Sequence, residues 1–88
     1  MINQDDNEIK ETIKNIISKV SRIETNKISD HASLRDELYI DSLQATQIIV
    51  LIQDKYNIKI DEVEIFNVDN ILDIVELIKE YRNNILGS

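Results

Sequence analysis

Apolar residues recur along this chain at three- and four-residue intervals in three separate stretches, and no stretch alternates apolar with polar in the manner of a strand. Ile9, Ile13, Ile16, Ile17 and Val20 fall at i, i+4, i+7, i+8 and i+11. That spacing lines one side of a first helix, which starts at about Asn7 and ends near Ser21. Lys10, Glu11, Lys14, Asn15 and Lys19 occupy its other side and read as a solvated face. Ala45, Ile48, Ile49, Ile52 and Tyr56 fall at i, i+3, i+4, i+7 and i+11 and predict a second helix running to Tyr56, with that stripe as core. Ile71, Ile74, Val75, Ile78 and Arg82 mark a last helix, whose apolar face Leu72 and Leu77 widen.

The stretches between are of two kinds. Ser21 to Ile40 has no sustained period, yet Ile23, Ile28, Leu34, Leu38 and Ile40 recur in it as apolar anchors, so a long first loop lying across the bundle is expected. Ser33-Leu34-Arg35-Asp36 resembles a capping box that opens a single turn, and His31, the lone histidine, reads as a surface residue. After the second helix, Asn57-Ile58-Lys59-Ile60 forms a short extended link. Asp61 to Phe66 reads as a short helix with Asp61 as N-cap, Glu64 closing a capping box, and Val63, Ile65 and Phe66 for burial. Asn67 to Asn70 is a further cluster of caps. Residues 1–6 and 83–88 are expected to fray. The chain therefore reads as all-α: one domain over residues 1–88, a small four-helix bundle of three main helices and a short third one.

The start of the second helix is where chemistry concentrates. Asp41 is a favoured N-cap residue, and if it takes the cap, Ser42 is left at the first helical position with its hydroxyl free. A phosphate on that oxygen would sit at the positive end of the macrodipole, favoured by roughly 0.3–1 kcal/mol. Ser42 is thus a candidate for phosphodiester attachment. A second stripe on the same helix, Leu43, Thr46, Gln47, Val50 and Asp54, mixes apolar with polar side chains and reads as a docking surface for partners.

Composition narrows the field. In 88 residues with 42% apolar content there is room for one small core and no deep catalytic pocket. The net charge of −7, with ten scattered Lys and Arg, argues against nucleic acid and for partners with basic patches. With no cysteine, any reactive sulfur must arrive on a cofactor. One histidine and dispersed carboxylates assemble no catalytic or metal site. No apolar run approaches the roughly 18 residues of a membrane span, and the first residues lack the pattern of a signal peptide, so a cytoplasmic monomer is expected.

Asp41-Ser42-Leu43, framed by Leu34-x-x-x-Leu38 upstream and the Ile/Tyr-rich helix downstream, resembles the 4′-phosphopantetheine carrier proteins, the acyl carriers and their peptidyl relatives. The resemblance spans about Ile9 to Tyr81. It implies a non-enzymatic carrier in which the serine of the Asp-Ser-Leu motif, here Ser42, is esterified with the pantetheine arm of coenzyme A by a Mg²⁺-dependent phosphopantetheinyl transferase. It also implies a mobile third helix beside the arm. Further partners would be a loading ligase or acyltransferase, and downstream synthase or modifying enzymes with basic or apolar docking patches.

The sequence departs from the fatty-acid carriers at Tyr39-Ile40, where a glycine and a small residue are common, and along the exposed stripe of the serine helix. That stripe carries Gln44, Gln47 and Gln53 with only Asp54 charged. Ala45-Thr46-Gln47 and Ile65-Phe66-Asn67 are similar to peptidyl carriers, whereas Asp41 and the acidic last helix are closer to acyl or single-amino-acid carriers. Acyl cargo of a fatty acid, polyketide or related pathway, and aminoacyl or peptidyl cargo, both stay open. An unmodified helical module binding a basic partner is the alternative of a different kind.

Overall fold

A computed structural model describes the backbone of residues 2–87 and the side chains of residues 6–61, 63–65 and 67–82. Four helices follow one another: α1 (Ile2–Ser21), α2 (Ser42–Tyr56), α3 (Glu62–Phe66) and α4 (Ile71–Gly87), with a single 3-10 turn, Thr25–Lys27, in the first loop. No strand occurs among the described residues. α1 packs against both α2 and α4. Where they meet, Ile13 and Ile17 of α1, Ile52 of α2, and Ile71, Ile74 and Ile78 of α4 are fully buried, joined by Ile28 from the loop. Isoleucine is stiff at χ1, so a core made of it is filled by few rotamers, and each such side chain contributes about 1.5–3 kcal/mol by leaving water.

α1 begins five residues before Asn7, where the sequence predicts its start. Acidic side chains suit the first turns of a helix, and Asp6 is held by Lys79 of α4 at 3.2 Å; residues 2–6, expected to fray, are wound into the helix, and residue 1 lies outside the described residues. At the other end α4 continues to Gly87; the side chains of 83–88 lie outside the described residues.

The long loop is fastened by polar contacts as well as by its apolar anchors. Lys10 and Lys14 are not simply solvated: both are half-buried and converge on Asp30, at 3.0 and 2.9 Å. The turn at Ser33 forms, but with a different partner from the one its sequence suggested. The Ser33 oxygen accepts the Asp36 amide (3.1 Å), while the Ser33 amide is taken by Glu37, one residue beyond Asp36. The buried Ser33 hydroxyl donates to Asp69 Oδ1 (2.7 Å), and the Leu34 amide donates to the Asp69 carbonyl (2.8 Å). These two bonds tie the loop to the entry of α4, where Asn70 and Asp73 cap each other's amides. His31 is exposed.

α3 also differs from expectation. Asp61 is its N-cap in backbone terms but makes no side-chain cap, and the Glu64 carboxylate turns to the Tyr81 hydroxyl instead of the Asp61 amide. Val63 is exposed; of the side chains expected to bury here, Ile65 packs on the core, and Phe66 lies outside the described residues.

Lys14, and then Lys10, hold the Asp30 carboxyl below its ordinary value of 3.8. A depressed folded-state pKa gives stability that is present above the unfolded value and lost as pH falls through the folded one. Asp30→Asn is therefore expected to lower the urea midpoint near neutral pH, and the gap to the parent protein should close as the pH is taken below about 4. An unchanged gap at low pH would show that the pair contributes nothing through its charge.

Candidate functional site

The geometry at the start of α2 follows from one side chain. Asp41 is extended (φ −86°, ψ 178°), and its Oδ1 accepts the Gln44 amide at 2.8 Å; the Gln44 Oε1 in turn accepts the Asp41 amide at 3.2 Å. This reciprocal cap places Ser42 at the first helical position. Its side chain is exposed, and its hydroxyl makes no hydrogen bond among the described residues. Thr46, one turn on, donates its hydroxyl to the Ser42 carbonyl (2.9 Å).

Tyr39 sets the approach to this cap. Its φ of 56° is left-handed, which turns the chain so that the Ile40 amide reaches the Leu34 carbonyl at 2.8 Å. Ile40 is thereby buried and Asp41 faces solvent. The two other non-glycine residues with positive φ, Arg22 and Asn57, end α1 and α2, a usual place for that conformation.

Beside Ser42 opens a cleft of about 500 Å³. Ala45, Ile48 and Ile49 of α2 form one wall, and Leu34, Ile40, Ile65, Val68 and Ile74 form the others. Its polar rim consists of Arg35, Asp41, Ser42 and Thr46. Part of the stripe that the sequence assigns to the core is therefore core on one side and cleft wall on the other.

The face Leu43, Thr46, Gln47, Val50 and Asp54 is exposed throughout, with Leu43 at 69% and Val50 at 49%. Two of the three glutamines expected on the exposed stripe are used by the fold: Gln44 in the cap, and Gln53, half-buried, through its Oε1 to the Ile60 amide (2.8 Å). Two exposed apolar side chains were missed as surface, Tyr39 at 80% and Val63 at 72%. A five-residue helix turns only one narrow face to the core, which is the signal that could have placed Val63 outside.

Loss of the cap in Asp41→Ala is expected to cost about 1 kcal/mol in chemical denaturation. Tyr39→Gly should do the reverse, raising stability by about 0.5–1 kcal/mol, because a left-handed backbone strains a tyrosine and not a glycine. A fall in stability would mean that the ring does structural work despite its exposure.

The family described as a phosphopantetheine attachment site matches residues 11–78. Among curated relatives, the acyl carrier protein of Buchnera aphidicola is 38% identical over 56 residues, which cover 64% of this chain and 71% of that protein. The meromycolate extension acyl carrier protein of Mycobacterium leprae is 36% identical over 68 residues, 77% of this chain; the match spans only 59% of that longer protein. Among solved structures, one described as an acyl carrier protein from Mycobacterium tuberculosis superposes with a TM-score of 0.69 at 27% identity, over 75% of this chain and 88% of that one. With a family match over most of its length and relatives of this kind, the chain belongs to the phosphopantetheine carrier family, whose members are carriers of covalently bound 4′-phosphopantetheine and not enzymes.

Proposed function

We propose that the 88 residues act as one cytoplasmic carrier unit that holds acyl groups as thioesters on a 4′-phosphopantetheine arm attached to Ser42. The observation that carries this reading is the exposed, uncommitted Ser42 hydroxyl at the mouth of an apolar cleft of about 500 Å³. The site fits a phosphodiester: the first turn of α2 offers unpaired amides and the positive end of the macrodipole, and Arg35 stands on the same rim. When bound, the arm supplies a terminal thiol, the one reactive sulfur in a chain without cysteine.

The chain's own residues do the rest. Asp41 keeps Ser42 at the helix start, its Oδ1 engaged by the Gln44 amide. In the transfer the serine oxygen bonds to phosphorus, the pyrophosphate link of coenzyme A breaks, the nucleotide half leaves and the serine proton passes to a base of the transferase. Ala45, Ile48 and Ile49 offer an acyl chain a wall to leave water against, a benefit for which an aminoacyl group has little use. Leu43, Thr46, Gln47, Val50 and Asp54 supply a docking face, and the charge of −7 draws partners with basic patches to it. Those partners are the transferase, a loading ligase or acyltransferase, and a downstream synthase.

Incubation with coenzyme A, Mg²⁺ and a broad-specificity phosphopantetheinyl transferase should add the mass of one arm. Ser42→Ala should abolish the gain while leaving stability within about 0.5 kcal/mol, since the hydroxyl makes no buried contact. A gain that survives the substitution, or none in the parent protein, ends the assignment of Ser42. Recovery of the native protein loaded with aminoacyl or peptidyl groups would replace the acyl reading while leaving the attachment intact.

A further inference from the structure

Among the described side chains, one wall of the cleft is held by less than the others. α2 and α4 face α1 through fully buried isoleucines, whereas α3 is five residues long, has no side-chain cap and, of its described side chains, exposes Val63 and packs Ile65 on the core. Ile65 and the adjoining Val68 form that wall. Beyond the Gln53 bond to the Ile60 amide, the hydrogen bonds that reach α3 and its N-cap residue Asp61 from another helix all pass, among the described residues, through one atom. The Tyr81 hydroxyl of α4 accepts the Asp61 amide at 3.0 Å and donates its own proton to the Glu64 carboxylate. The Tyr81 ring belongs to α4 and is half-buried against the core. A single hydroxyl thus takes the place of the missing cap and at the same time binds the helix sideways to α4.

We propose that the Tyr81 hydroxyl is a positioning group for the cargo cleft: by gripping Asp61 and Glu64 it keeps Ile65 and Val68 closed over the Ala45–Ile49 wall, and its release opens the cleft from the α3 side. The bearing of this latch on cargo rests on the acyl-carrier reading; its bearing on α3 does not. The grip is polar and lies near the surface, so it can be broken without disturbing the isoleucine core, which is the property a cleft that must both shelter and surrender a chain requires.

Tyr81→Phe keeps the ring and removes both bonds. In the unmodified full chain, followed by hydrogen exchange, the amides of residues 62–68 are expected to exchange roughly three- to tenfold faster, with those of the α1, α2 and α4 core unchanged within about twofold. Unchanged exchange in α3, or a uniform rise across the molecule, overturns the proposal. The protein is then loaded from acetyl- and octanoyl-coenzyme A and the thioesters are cleaved with hydroxylamine. Tyr81→Phe should accelerate loss of the octanoyl group by a similar factor and leave the acetyl group, too short to use the cleft, unaffected. Equal effects on both chains would reduce Tyr81 to a structural residue and overturn its role toward cargo. Failure of either chain to load Ser42 would sink the carrier reading, while the latch would still be judged by exchange in the unmodified protein.

Discussion

A helix start has several amides with no partner in the helix, and here the one that matters is taken by Asp41. Had Ser42 been the capping residue, its oxygen would be bound to the main chain and unavailable to a partner. With Asp41 in that role, and Gln44 returning the bond to the Asp41 amide, the serine is displaced one position into the helix and its hydroxyl has nothing to do within the fold. Ala45, Ile48 and Ile49 share the side of α2 where the cleft opens, because residues three and four apart share a helical face. One hydrogen-bond choice thus settles the availability of the hydroxyl, and the helical period settles what lies beside it.

That choice depends on where the chain arrives from, and the long loop decides this. Ser33 is buried and fully used: its hydroxyl gives to Asp69 and takes from Asp36, and its amide gives to Glu37. A buried hydroxyl without partners would cost about 1–3 kcal/mol, so the contact fixes the loop against the head of α4. From this anchor the chain makes one turn, reverses at Tyr39, buries Ile40 and delivers Asp41 to its cap. Lys10 and Lys14, reaching from α1 to Asp30, hold the earlier half of the loop in the same way.

The three long helices were legible because their cores are apolar stripes at helical spacing, and burial of such stripes dominates a domain this small. Ile13, Ile17, Ile52, Ile74 and Ile78 could hardly be elsewhere. Asp41 as cap was legible for a local reason, since capping involves residues only three apart in sequence. What could not be read were pairings across the fold. Nothing near Asp30 names Lys10 and Lys14 as its partners, and nothing near Glu64 says that a tyrosine 17 residues later outcompetes the local capping box. Gln53 looked like a surface residue for the same reason: its partner, the Ile60 amide, exists only once the chain after α2 has folded back. The cleft itself is a relation between α2, the loop, the α3 region and α4, and no single periodicity encodes it.

The molecule divides its stability unevenly, and the division follows chemistry. Apolar burial is non-directional and lost only by pulling helices apart, so the α1, α2 and α4 interfaces, built of isoleucine, have no cheap way to open. Hydrogen bonds near water are worth about 0.5–1.5 kcal/mol net and can be exchanged for bonds to solvent. Among the described residues, α3 and its N-cap are secured to α4 by bonds of the second kind, at Asp61 and Glu64. A fluctuation of a few kcal/mol therefore detaches one wall of the cleft and leaves the rest standing, with Ser42 still fixed at its helix end, since Asp41, Gln44 and the loop that delivers them form no hydrogen bond with α3 among the described residues. Ser42 and the wall formed by Ile65 and Val68 line one cavity and draw on separate sets of interactions, so the wall can shift without disturbing the serine.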